Sequence, residues 1–262
     1  MSTILNVMNL EKRFGSVSAA KNINVSVAER EIVAIIGTNG AGKTTFVNMV
    51  TGWLAPTSGD IRFLGTSIVG RRPREMTQLG LCRSFQVPQV FGSRSALENL
   101  VMAAAVAERS GLSLFSDPFT EERVTRCEML LRDFRIGDYL HRKTAQLPQG
   151  IRKLLDIAMA MIAMPKMLLL DEPTSGVSID EKLELMDIVM GALKAREVTV
   201  MFIEHDMEIV EKHAARVLAF FEGGIISDAS PQQCFAHPTV QTHIVGEGKV
   251  SARLKKGGVQ DA

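Results

Sequence analysis

Three short, almost wholly apolar runs stand out along the chain: residues 31–37 (Glu-Ile-Val-Ala-Ile-Ile-Gly), 167–170 (Met-Leu-Leu-Leu) and 198–203 (Val-Thr-Val-Met-Phe-Ile). Runs this short with no polar face predict strands buried on both sides. Each is followed by a polar residue and then a helical stretch, the first of them over residues 43–51. That alternation predicts an α/β fold, a mainly parallel sheet covered by helices. The first thirty residues and residues 216–227 instead carry short alternating runs with turn signals at Phe14-Gly15 and Gly223-Gly224, which predict antiparallel strands beside the parallel core. Residues 95–146 switch to helical spacing, with Leu97, Leu100, Val101 and Ala104 in one set and Val124, Cys127, Leu130, Leu131 and Phe134 in another. Residues 111–118 break these helices. The pattern predicts a core made of residues 1–86 and 165–248, an inserted helical subdomain at 87–164, and a polar tail at 249–262.

Composition narrows the class. Thirty basic and 29 acidic residues leave a net charge of +1, which gives no long-range pull toward nucleic acid or an anionic membrane. The apolar fraction of 46% is that of a globular chain. Cys82, Cys127 and Cys234 are scattered and form no metal-ligand spacing, which points to a reducing compartment. The apolar stretch at 4–10 contains Asn6 and Asn9 and lacks a basic leader, so it does not read as a signal peptide. The longest apolar region, 154–170, is interrupted by Asp156, Pro165 and Lys166, whereas a spanning helix needs about 20 apolar residues. The chain is therefore expected to meet a membrane only through a partner.

Residues Gly37, Thr38, Asn39, Gly40, Ala41, Gly42, Lys43 and Thr44, continued by Thr45, match G-x-x-x-x-G-K-[ST] between an expected buried strand and an expected helix. Glycines let successive backbone N–H groups curl around one cavity, and the helix start favours phosphate. Lys43 reaches the β- and γ-phosphates of a nucleotide, and the Thr44 hydroxyl ligates Mg2+. The strand at 167–170 ends in Asp171 and Glu172, which puts carboxylates at the carboxyl edge of the sheet, where ligands of open α/β sheets bind. Asp171 is expected to hold Mg2+ through water, and Glu172 to polarise the attacking water as general base.

These motifs, in this order, resemble the ATP-binding subunits of ABC transporters over about residues 4–248. Within that superfamily the chain is most similar to the longer ATPase of branched-chain amino acid importers. The features that suggest this branch are Phe85-Gln86-Val87 ahead of Phe91 and Glu98-Asn99-Leu100, then Ile203-Glu-His-Asp-Met207, and the closing Phe235-Ala-His-Pro238 and Ile244-Val-Gly-Glu247. The resemblance implies a single ABC ATP-binding domain over 1–248, with ATP and Mg2+ as cofactors. It implies that Phe14 stacks on adenine. It places Gln86 at the hinge of the helical subdomain, sensing Mg2+ or the lytic water, and His205 on the γ-phosphate beside Glu172. Implied partners are a second ATP-binding subunit, two membrane-spanning permease subunits and, indirectly, a periplasmic or surface solute-binding protein, but no nucleic acid. The location implied is the cytoplasmic face of the inner membrane, peripheral through the permeases.

The family's signature, Leu-Ser-Gly-Gly-Gln, opens a helix that faces the ATP of the opposite subunit. Here it reads Leu147-Pro148-Gln149-Gly150-Ile151. Gly150 and the helix dipole are kept, but Pro148 has neither hydroxyl nor N–H. The loop after Glu172 reads Ser175-Gly176-Val177-Ser178 where the family often has Ser-Ala-Leu-Asp. Two such signatures facing each other make a poor motor, which favours a heterodimer whose competent site is built on this chain's phosphate loop. The alternatives are a nucleotide-binding regulatory subunit with little hydrolysis and a soluble, non-transport ABC ATPase.

Overall fold

The computed structural model describes residues 2–84, 89–108 and 117–246. A long hairpin opens the chain, β1 (Thr3–Phe14) against β2 (Val17–Ala28), with β4 (Ser58–Phe63) and β5 (Thr66–Ser67) completing an antiparallel sheet ordered β2-β1-β4-β5. The second sheet runs β10-β9-β3-β8-β7-β6. Its members are β3 (Ile32–Gly37), β6 (Leu81–Arg83), β7 (Met167–Asp171), β8 (Thr199–Ile203), β9 (Arg216–Phe221) and β10 (Gly224–Ala229). β9, β3, β8, β7 and β6 are mutually parallel; β10 returns antiparallel on β9.

The central strands are buried on both faces because each feeds two cores. Ile32, Ala34 and Ile36 of β3 join Leu168, Leu170, Val200 and Phe202 on the helical side of the sheet. The intervening Val33 and Ile35 join Leu169, Met201 and Ile203 on the other side, packed with Leu5, Val25 and Ile61 of the antiparallel sheet. The period-2 alternation of a strand thus splits one continuous apolar run between two cores. Phe46 of helix α1 (Lys43–Val50) lies 5.4 Å, centroid to centroid, from Phe220 of β9, which seats α1 in the second core. A tilted aromatic pair of this kind contributes about 0.5–1.5 kcal/mol beyond its area burial.

After α2 (Pro73–Leu79), the described residues between β6 and β7 include the α-helices α3 (Ala96–Ala107), α4 (Glu121–Asp133) and α5 (Gln149–Met161). Leu100, Leu131, Phe134, Leu154 and Ala158 pack together on the helical side of the main sheet. α3 starts where its sequence says it should. Ser95 Oγ accepts from Glu98 N at 3.1 Å, and Glu98 Oε2 accepts from Ser95 N at 2.7 Å. Buried Asn99 then clamps the loop before the helix, accepting from Phe91 N at 2.7 Å and donating to Phe91 O at 3.2 Å. Phe91 keeps its ring outward, 59% exposed. The chain continues with α6 (Ile179–Lys194), α7 (Met207–His213), α8 (Pro231–Ala236) and α9 (Pro238–Val240). Among the described residues no helix is long and apolar enough to cross a membrane.

Candidate active site

The phosphate-type loop lies where β3 ends and α1 begins. Gly37 has φ +150, and a Cβ there would meet the carbonyl oxygen of Phe220 at 2.4 Å, so only glycine lets β3 and β9 stay paired to this point. Gly42 is the N-cap of α1, at φ +101, with the oxygen of Ala19 2.6 Å from where a Cβ would stand. A glycine cap offers no side-chain oxygen to the first-turn N–H groups, which leaves them for an anion. Thr38, Asn39 and Gly40 are exposed, Ala41 is buried, and Thr44 and Thr45 open the helix with Thr44 exposed. Lys43 is buried and folds back on its own loop, with Nζ donating to Gly37 O at 2.7 Å and to Thr38 O at 2.9 Å. Burial lowers its pKa; the Glu172 and Asp171 carboxylates oppose that shift. The β1–β2 hairpin abuts the loop through Ala19, and it carries Phe14, half exposed, near its tip.

Parallel pairing brings the acidic residues to the same sheet edge. Asp171 and Ile203 are register partners at the ends of β7 and β8, so Glu172 and His205 emerge side by side. His205 Nε2 lies 2.9 Å from Glu172 Oε1. Glu172 has φ +47, a left-handed backbone that costs a non-glycine residue on the order of 1–3 kcal/mol and persists only where surroundings enforce it. Its N–H donates to Ile203 O at 3.2 Å, and Lys153 Nζ of α5 approaches its carbonyl at 3.3 Å. Asp171 is buried and accepts from Arg83 Nη2 at 2.5 Å, while Arg83 Nη1 donates to Asn48 Oδ1 at 2.6 Å on α1.

The signature-like segment opens α5. Leu147 is buried, Pro148 is the N-cap with no side-chain cap bond, and Pro148 and Gln149 are exposed. The Gln149 amide lies over Gly176: a Cβ on Gly176 would sit 2.1 Å from Gln149 Nε2. Gly150, the second residue of α5, faces Leu185 of α6: a Cβ there would stand 3.8 Å from Leu185 Cδ1. Gln86 lies outside the described residues.

The structure thus brings Lys43, Asp171, Glu172 and His205 to one edge of the sheet and sets Leu147, Pro148, Gln149 and Gly150 at the start of another helix. Arg83, Lys153, Thr174 and Glu204 were not foreseen. Their only signal is placement: Arg83 and Glu204 end or follow buried strands, and Lys153 is a charge on the buried side of α5.

A family model described as ABC transporter matches residues 20–175. The chain is 32% identical over 250 residues to the high-affinity branched-chain amino acid transport ATP-binding protein BraF of Pseudomonas aeruginosa, covering 93% of this chain and 98% of that protein. It is 32% identical over 252 residues to the probable branched-chain amino acid transport ATP-binding protein LivG of Methanocaldococcus jannaschii, with the same 93% and 98% coverage. A crystal structure of an ATP-binding cassette of an ABC transporter in its ADP conformation superposes with a TM-score of 0.84 at 29% identity, over 94% of this chain and 100% of that one. The chain belongs to the ABC transporter family, as one of its nucleotide-binding, ATP-hydrolysing subunits.

Proposed function

We propose that this chain hydrolyses ATP to drive an importer of amino acids, branched-chain ones first, at the cytoplasmic face of the cell membrane. The observation that carries the reading is the meeting of Lys43, Asp171, Glu172 and His205 at the edge where β3, β7 and β8 end. The named relatives supply the solute class.

In this reading the first-turn N–H groups of α1 and Lys43 hold the phosphates, and Phe14 stacks on adenine. Glu172 takes a proton from the attacking water, and His205 fixes Glu172 and the γ-phosphate relative to each other. Thr44, Asp171 and Gln86 offer the oxygen donors that Mg2+ prefers. Thr44, exposed in the first turn of α1, and Asp171, at the end of β7, put hard oxygen donors at the edge where a nucleotide-borne ion would sit. When bound, Mg2+ neutralises charge on the transferred phosphoryl.

The partner ATPase is a different chain, because Pro148 removes a donor from the face offered to the opposite ATP. The helical subdomain moves on the core, and Val87, Val90 and Phe91 receive a helix from a permease subunit; of these Phe91 is exposed, Val90 is partly buried and Val87 lies outside the described residues. A solute-binding protein delivers the cargo outside. Reconstituting the chain with its partner ATPase and permeases in vesicles tests this: ATP should drive uptake of leucine delivered by the binding protein. Uptake of leucine that is independent of ATP, or of this chain, contradicts the reading.

A further inference from the structure

Glu204 follows β8 and precedes His205, yet its side chain turns inward and is only 4% exposed. Its Oε1 accepts from Thr174 N at 3.1 Å and from Thr174 Oγ1 at 2.6 Å; its Oε2 accepts from His205 N at 3.1 Å. Its own N–H donates to Ile35 O of β3 at 3.3 Å, the strand that leads into the phosphate loop. One carboxylate therefore joins the loop two residues beyond Glu172 to the loop that carries His205.

We propose that Glu204 is a positioning residue for hydrolysis, whose buried carboxylate holds Glu172 and His205 at their 2.9 Å meeting. The inference rests on the reading of Glu172 as general base. The chemistry asks for a carboxylate. Two backbone N–H groups and one hydroxyl converge from chain ends that have left the sheet, and an acceptor-only group satisfies all three. An amide would turn its own N–H2 toward one of these donors, and an apolar side chain would leave them buried and unpaired. Bonds to a charged acceptor are also the stronger kind, which offsets the burial of the carboxylate. The brace has work to do, since Glu172 holds a left-handed backbone at φ +47 that relaxes if the loop is released. Lys153 adds a second tie from the other side, donating to Glu172 O and to Ser175 Oγ at 3.1 Å.

The test is steady-state MgATP hydrolysis and nucleotide binding by the full chain with its partner ATPase. Glu204→Gln should lower kcat about tenfold or more and leave KM and nucleotide Kd within about twofold, the mark of an interaction made in the transition state. In a His205→Ala background the same change should cost less than about twofold, because both act through one pair. Thr174→Val, which removes a single bond and keeps side-chain volume, should lower kcat about threefold with the same non-additivity, and it stands in if Glu204→Gln does not fold. Unchanged kcat in these variants, a parallel loss of nucleotide binding, or full additivity with His205→Ala overturns the brace. If Glu172→Gln itself keeps full turnover, the reading of the site falls and the brace with it. If Glu172→Gln is inactive while the Glu204 and Thr174 variants are not, the brace alone falls.

Discussion

Arg83 at the end of β6 pairs with Leu169 in register and reaches diagonally to Asp171 at the end of β7, Nη2 to Oδ2 at 2.5 Å, with each side chain 10% exposed. Arg83 also donates to Asn48 on α1, so one guanidinium links the acidic strand end to the helix behind the phosphate loop. Removing one member of a buried ion pair leaves the other charge uncompensated, which typically costs about 3–5 kcal/mol. Arg83→Met should therefore lower unfolding free energy in urea by about 3 kcal/mol, and a loss below about 0.5 kcal/mol would mean that the pair does not hold this edge together.

Gly42 governs the phosphate loop through its backbone. An alanine there meets the Ala19 carbonyl and must also hold φ +101. Strain of this kind is worth about 1–3 kcal/mol, or about tenfold in affinity for each 1.4 kcal/mol. Titration with a fluorescent ATP analogue should show Gly42→Ala binding about 5- to 140-fold more weakly than the natural chain, by that conversion.

The fold was legible where local pattern and final environment agree. β3, β7 and β8 were readable because both faces of each are buried, so polar residues stand only at strand ends, as Thr199 and Asp171 do. The hairpins at Gly15 and Gly223 announced themselves through glycines at φ +58 and +85. Less visible was the length of β1 and β2, twelve residues each, which bend through register shifts with Asn9 and Asn22 at positive φ. Nor was the brace under the site visible: Glu204 and Thr174 are 30 residues apart, and Arg83 and Asp171 are 88 apart. Those contacts exist only because parallel pairing sets the strand ends side by side. The sequence pattern reports burial well and partners across a sheet poorly.

His213 gives a pH signature to the far side of the core. Its side chain is 6% exposed, and burial holds its imidazole below the ordinary value of 6.5; Lys212 and Lys194 push the same way, while Asp187, 3.5 Å from Nε2, opposes them. A basic group with a depressed folded-state pKa is protonated more readily when the chain unfolds. Stability from this residue is thus full above about pH 6.5 and falls as pH drops below it. Thermal midpoints measured from pH 7.5 down to 5.5 should decline, and His213→Gln should flatten that decline; an equal slope in the variant would rule His213 out as its source.

In the proposed function, the competent site is built on this chain's Lys43, Asp171, Glu172 and His205 and is completed by a different ATPase. Steady-state MgATP hydrolysis by the purified chain, alone and mixed with a candidate partner ATPase from the same organism, with Glu172→Gln as the control, tests this. Turnover should appear in the mixture, vanish with Glu172→Gln here, and largely survive mutation of the partner's corresponding glutamate. ATP binding without turnover in either setting, or equal loss when either subunit's glutamate is changed, would contradict it.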